Sequence, residues 1–237
     1  MRQYRYLLWD IDGTLLDFHA AERAAFETLF AKYELGPLTD EMMERYIAIN
    51  IRYWQALERN ELTKPQVLIG RFIEFFTTEG LDVSKAEAYN DDYQLALGDT
   101  VVFCDDAYER MKALKESGRY VLAAVTNGTK AAQEKKLRTS GLGEFFDHVF
   151  ISEDIGIEKP NVALYEKIFH TMGVEDRSEV LAIGDSLTSD IRGGNNAGVD
   201  TCWYNPKHQE LTGDYRVTYE IADLRELDGI LGTGSYC

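Results

Sequence analysis

Basic charge is scarce in this 237-residue chain. Lysine and arginine number 25 against 41 aspartates and glutamates, a net charge of −16 at neutral pH. Phosphate backbones and anionic membrane surfaces are held by basic patches, so a nucleic acid polymer or a membrane is a poor partner here. Long apolar runs are missing too. None approaches the ~20 residues of a membrane span. The opening MRQYRYLLWD places two arginines among a short apolar stretch and does not read as a secretory leader. Cysteine is sparse. Cys104, Cys202 and Cys237 form an odd set with no CxxC pair. That argues against a disulfide framework or zinc site and for reduced thiols in the cytoplasm. No lipidation box surrounds Cys237. Internal repeats and low-complexity tracts are absent, and the end, Gly232 to Cys237, reads as frayed.

What is present suffices for a real core. Apolar residues make up 45% of the chain and aromatics 12%, well outside the disordered range. Short apolar runs recur at Tyr6–Asp10, Val121–Val125, Val149–Ile151, Val180–Ile183 and Thr201–Tyr204. They do not alternate, as expected of parallel strands covered on both faces. Amphipathic segments separate them, at Ala107–Ser117, Lys130–Ser140 and Ala163–Met172. This βαβα order predicts an α/β layer fold. One interval, residues 17–97, has helical patterning only. Ile47, Ile51 and Trp54 fall at i, i+4, i+7, and Leu68, Phe72 and Phe75 repeat that spacing. The pattern predicts an insert of about four helices, with breaks near Gly36-Pro37, Lys64-Pro65 and Gly80. The core is then 1–16 plus 98–237.

The polar signals sit where strands end. These are Asp10-Ile-Asp12-Gly13-Thr14, Thr126-Asn127-Gly128 and Gly184-Asp185-Ser186, with Asp190 five residues beyond Asp185 and Lys159-Pro160 ahead of the fourth strand. Open α/β sheets bind ligands at that end. Two carboxylates at i and i+2 crowd one site, which a cation or a shared proton relieves. Asp10 and Asp185, with backbone carbonyls and water, suit Mg²⁺. The Thr126 hydroxyl, the N–H groups of Asn127 and Gly128, and Lys159 suit a phosphoryl group. Taken singly, Thr-Asn-Gly is a turn signal, Lys-Pro a surface loop and Gly-Asp-Ser a helix cap. An EF-hand from Asp10 fails, because Leu15 and Ala21 stand where Gly and Glu are needed. The basic cluster Lys130, Lys135, Lys136, Arg138 reads as a solvated helix face. His19, His148, His170 and His208 show no metal spacing.

In this order, DxDGT, Thr, Lys and GDxxxxD, the motifs resemble those of the haloacid dehalogenase-like hydrolases, in their phosphatase branch. The resemblance spans nearly the whole chain and implies a Rossmann-like parallel sheet core with an inserted helical cap. It implies Asp10 as nucleophile and Asp12 as general acid/base, protonated for the first step. Thr126, Asn127 and Lys159 would hold the phosphoryl group. Asp10, the Asp12 backbone carbonyl and Asp185 would bind Mg²⁺, with Asp190 supporting the metal or Lys159. The true dehalogenases lack a counterpart of Asp12, so its presence favours phosphoryl transfer. Two stretches, Asn50–Thr63 and Asp190–Asn205, also resemble the pyrimidine 5′-nucleotidase subgroup, with His19 departing from an acidic position there. That implies a small-molecule substrate, a nucleoside monophosphate, and a monomer or weak homodimer. Sugar phosphates, phosphoglycolate or a β-phosphoglucomutase-like reaction are the alternatives, and a non-catalytic binding role is the remaining one. Specificity is expected in the Leu15–His19 loop and the insert. Phe18 is placed to stack on a base, with Asn50 and Trp54 as possible contacts. Against that, Trp54 on the Ile47/Ile51 stripe reads as core, and Asn50 as solvated or locally bonded.

Overall fold

The computed structural model describes residues 3–232. Six strands form one sheet: β1 (Tyr6–Trp9), β2 (Val121–Thr126), β3 (His148–Ile151), β4 (Val180–Gly184), β5 (Asp200–Tyr204) and β6 (Tyr219–Ile221). All are parallel, in the order β3-β2-β1-β4-β5-β6. The helices are α1 (Phe18–Lys32), α2 (Asp40–Glu58), α3 (Lys64–Thr78), α4 (Ala86–Ala96), α5 (Ala107–Ser117), α6 (Lys130–Ser140), α7 (Ser152–Ile155), α8 (Val162–Met172), α9 (Arg192–Ala197) and α10 (Leu227–Leu231).

Strand alternation divides the burial between two faces. Leu7, Trp9, Leu122, Ala124, Leu181 and Ile183 pack with Met111 and Leu114 of α5 and Leu137 of α6. Tyr6, Leu8, Ala123, Val125, Val180 and Ala182 pack with Leu164, Tyr165, Ile168 and Phe169 of α8. The sequence therefore needs apolar residues at every position of a central strand, which is why no alternation is visible in it. Trp9 lies opposite Ala124 and Ile183, so β1, β2 and β4 end nearly level and their following loops meet. Strand order reverses around β1, the crevice position of open α/β sheets.

Helices α1–α4 all lie between β1 and β2 and build a second core, mostly of aromatic rings. Phe26 lies 4.3 Å from Tyr46, and Tyr46 stacks on Phe72 at 5.3 Å. The chain enters and leaves this insert side by side. Leu16 and Phe103 form an antiparallel bridge, and the Cys104 N–H donates to the Leu15 carbonyl at 3.0 Å.

Several expectations need correction. Lys64-Pro65 is not a break but the first turn of α3, where proline's missing N–H goes unnoticed. The break lies just before it. The Ile47/Ile51/Trp54 stripe is not the core face of α2. Ile51 is exposed, and Met43, Tyr46 and Ile49 are buried instead. The Leu15–His19 loop is shorter than expected, because α1 starts at Phe18 with Asp17 capping the Ala20 N–H at 3.1 Å. Strand β6 went unforeseen, being three residues with a glutamate in the middle. Cys104 and Cys202 are free thiols, whereas Cys237 and the tail from 233 onward lie outside the described residues.

Candidate active site

The crevice above β1, β2 and β4 holds a cavity of about 230 Å³. Ligand pockets for drug-sized molecules run ~300–1,000 Å³, so this one is of a size for a small metabolite. Asp10, Asp12, Thr126, Asn127, Lys159, Asp185 and Asp190 all line it, and so do Phe18, Asn50, Trp54 and Glu58 from the insert. Residues far apart in sequence are thus brought together.

Lys159 is the hub. It is 2% exposed, and its Nζ donates to Asp10 Oδ1 at 2.7 Å, Asp190 Oδ1 at 2.6 Å and the Val125 carbonyl at 2.7 Å. Burial alone would strip its proton, but the Asp10 and Asp190 carboxylates outweigh burial and hold the ammonium charged. Asn127 serves Lys159 directly. Its side chain accepts from the Lys159 N–H at 2.8 Å and donates to the Lys159 carbonyl at 3.0 Å. The Asn127 side chain therefore braces the Lys159 backbone. Thr126 is buried, and its Oγ1 accepts from the Gly128 N–H at 3.1 Å, which leaves the hydroxyl proton to donate.

The acidic side is crowded. Oxygens of Asp10, Asp185 and Asp190 lie within 4.8 Å of one another. Burial raises the Asp10 carboxyl, Lys159 pulls it back, and Asp190 and Asp12 push it up again, for a net rise. Burial, then Asp10 and Asp190, push the Asp185 carboxyl well above its ordinary range. A like-charged cluster of hard oxygens that gains by neutralisation fits a divalent cation such as Mg²⁺. The backbone is shaped for this approach. Gly13 sits at φ +90°, and a Cβ there would come 2.6 Å from Asp185 Oδ2. The Thr14 hydroxyl donates to Asp10 Oδ2 at 3.2 Å, and the Trp203 indole N–H donates to the Asp185 carbonyl at 2.9 Å. A π turn at Leu187–Ile191 returns Asp190 to the Ser186 N–H at 3.1 Å.

Asp12 is held differently. Gln133 Nε2 donates to its Oδ2 at 2.7 Å, and Lys136 Nζ pairs with its Oδ1. Both oxygens accept. Lys136 is the sequence reading's clearest error. It is not on a solvated face but 2% exposed, under the Phe18 ring, whose centroid lies 5.1 Å from Nζ. Its neighbours Lys130 and Arg138 are exposed. The signal was available as Gln133 and Lys136 at i, i+3, but an isolated pair of polar residues on a basic helix does not announce a buried partner.

In the insert, Trp54 lines the cavity instead of filling the core. Asn50 is buried rather than solvated. Its Oδ1 accepts from Arg71 at 2.7 Å, and its Nδ2 donates to Glu22 at 3.3 Å. Arg71 and Glu58, neither foreseen, also reach the cavity wall. Burial pushes the Glu58 carboxyl up to about 7, against a hydrogen bond from Thr188.

Comparison with known proteins agrees with this geometry. The haloacid dehalogenase-like hydrolase family model matches residues 4–198. The pyrimidine 5′-nucleotidase PynA of Streptococcus pneumoniae is 37% identical over 94% of this chain and 93% of its own. The pyrimidine 5′-nucleotidase YjjG of Escherichia coli is 31% identical over 97% and 98%. A magnesium-bound crystal structure of the Bacillus subtilis HAD-hydrolase YfnB, which describes interdomain movement, superposes with a TM-score of 0.89 at 37% identity, covering 97% of this chain and 99% of that one. No helix among the described residues is long and apolar enough to cross a membrane. With the motifs converging on one crevice and the match covering most of its length, the chain belongs to the haloacid dehalogenase-like hydrolase family.

Proposed function

We propose that this hydrolase cleaves phosphate monoesters through an aspartyl-phosphate on Asp10, and that its substrate is a nucleoside 5′-monophosphate with a pyrimidine base. The observation that carries the chemistry is the Asp10 carboxylate at the floor of the cavity, 2.7 Å from the buried Lys159 ammonium and beside Asp185. The similarity to PynA and YjjG carries the substrate class. Residues 17–97 then act as a cap over the 1–16 and 98–237 core.

Asp10 attacks phosphorus in line, and the ester oxygen leaves. Lys159, the Thr126 hydroxyl and the backbone N–H of Asn127 receive the charge on the phosphoryl oxygens, while the Gly128 N–H, donating to Thr126 Oγ1, orients that hydroxyl. Asp12 gives a proton to the leaving oxygen. In the second half it takes one from the water that releases phosphate from Asp10, so the proton count closes over each turnover. Asp10, Asp185 and the Asp12 backbone carbonyl would hold Mg²⁺, which when bound neutralises the phosphoryl oxygens. Asp190 keeps Lys159 in place. The insert excludes bulk water and presents Trp54, Phe18 and Asn50 towards the nucleoside, Asn50 by holding Arg71.

Phosphate release tests this across UMP, dUMP, dTMP, CMP, AMP, GMP, glucose 6-phosphate, β-glucose 1-phosphate and phosphoglycolate, each with Mg²⁺ and with EDTA. Pyrimidine monophosphates are expected to turn over fastest, and EDTA to abolish turnover. Release from sugar phosphates alone would discard the nucleotide and keep the chemistry. Silence throughout would discard both.

A further inference from the structure

We propose that Gln133 and Lys136 are the positioning residues for Asp12, a proposal that rests on the phosphomonoesterase reading above. Both stand on one face of α6, three residues apart. Each takes one oxygen of the same carboxylate, Gln133 the Oδ2 and Lys136 the Oδ1. A carboxylate held at both oxygens has neither of its side-chain torsions free. That is the condition for aiming its lone pair at a reacting oxygen.

Three observations separate this arrangement from an ordinary ion pair. First, Lys136 is 2% exposed and Gln133 is 1% exposed. Burying an ammonium is costly unless a carboxylate meets it, and among the described residues Asp12 is the carboxylate that does. Second, the amide of Gln133 has a determined sense. Flipping it would set oxygen against a carboxylate, and in the sense present its Oε1 is buried without a hydrogen-bond partner. An unsatisfied oxygen is tolerated so that the N–H can serve Asp12. Third, Gly128 makes room for it. A Cβ at Gly128 would lie 2.1 Å from Gln133 Nε2. Gly128 does not share the positive φ of Gly13, so what a side chain there would disturb is the place of the Gln133 amide and not the backbone.

Helix α6 is itself anchored. Its cap Thr129 accepts from the Ala132 N–H at 3.4 Å and donates to Gln94 of α4 at 2.9 Å, and Lys135 donates to the Leu95 carbonyl at 2.9 Å. Asp12 is therefore held by a helix of the sheet domain that touches the insert.

The test compares leaving groups at constant recognition. The probes are the best ester of the panel above and the same molecule with sulfur replacing the bridging oxygen. A thiol, ordinarily near ~8.5, departs as thiolate without needing a proton from Asp12. The ratio kcat/KM reports steps up to the first phosphoryl transfer. In Lys136→Met, kcat/KM on the oxygen ester is expected to fall about 10–100-fold, and on the sulfur ester by less than about threefold. Gln133→Met, which leaves every charge in place, should show the same split at smaller size. It carries the comparison if Lys136→Met does not fold. Equal losses on both esters, or no loss on either, would overturn the positioning role while the phosphomonoesterase reading stands. A wild-type protein that cleaves neither ester removes that reading and this proposal with it.

Discussion

The rim of the sheet and the interior of the insert are both buried, but they are held by opposite means. At the rim, Asp10, Lys159 and Asp190 are locked by charge-assisted hydrogen bonds of 2.6–2.7 Å, and Asn127 holds the Lys159 backbone at 2.8 and 3.0 Å. Inside the insert, Phe26, Tyr46, Phe72 and Phe75 interlock as rings, and Tyr89 buries a hydroxyl that has no hydrogen-bond partner. Polar bonding is directional and fixes atoms to fractions of an ångström, which phosphoryl transfer needs. Ring packing tolerates rearrangement and holds a shape, which is what a cavity wall over a variable substrate needs. The contrast teaches where each property of the protein resides.

The comparison is broken most sharply by Asp10→Asn. Turnover is expected to fall by at least about 10³-fold with no loss of melting temperature, since the change removes a nucleophile and relieves a crowded carboxylate. Phosphate release alongside a thermal melt checks both halves. In the insert the balance reverses. Phe72→Ala should cost about 3–5 kcal/mol of stability, read from urea unfolding, through loss of a fully buried ring. An intact urea midpoint would show that the aromatic core is not what holds the insert.

Glu58 lies where the two regions meet, and it sharpens the comparison through pH. Its folded value of about 7 stands above the ordinary carboxyl range, so the native state binds this proton more tightly than the unfolded chain. Its contribution to stability is therefore present at pH 4 and lost as pH rises through ~4.3 to about 7. Glu58→Gln should leave stability unchanged near pH 4 and raise it at pH 8 by on the order of 1–3 kcal/mol, measured in EDTA. A variant less stable than wild type at pH 8 would contradict that sign. The smallest effect belongs to neither region. Arg23 pairs with Glu27 at 3.1 Å and Asp40 at 2.7 Å on the exposed surface. Arg23→Ala should not move the urea midpoint beyond error.

Much of this was legible in the residues. Apolar strands, a helical interval and four strand-end motifs were enough for an α/β sheet and for the grouping of Asp10, Thr126, Lys159 and Asp185 at one crevice. The failures share a cause. The solvated face expected for Lys136 and the core position weighed for Trp54 both gave way because helical spacing gives the face of a residue but not what lies opposite it. A basic helix reads as solvated until Asp12 from another strand is seen beneath it. The Ile47/Ile51 stripe reads as core until the neighbouring helices bury Met43 and Tyr46 in its place.

The sequence by itself determined the elements, their order and the set of chemical groups. Those follow from local periodicity, turn chemistry and short motifs, all of which act over a few residues. Tertiary structure alone decided which carboxylate each lysine serves, Asp10 for Lys159 and Asp12 for Lys136. It also made the Asn127 side chain a clamp on the Lys159 backbone. Pairing of this kind depends on distances of about 3 Å between segments more than a hundred residues apart, as between Asp10 and Lys159, and only the packed sheet sets those distances.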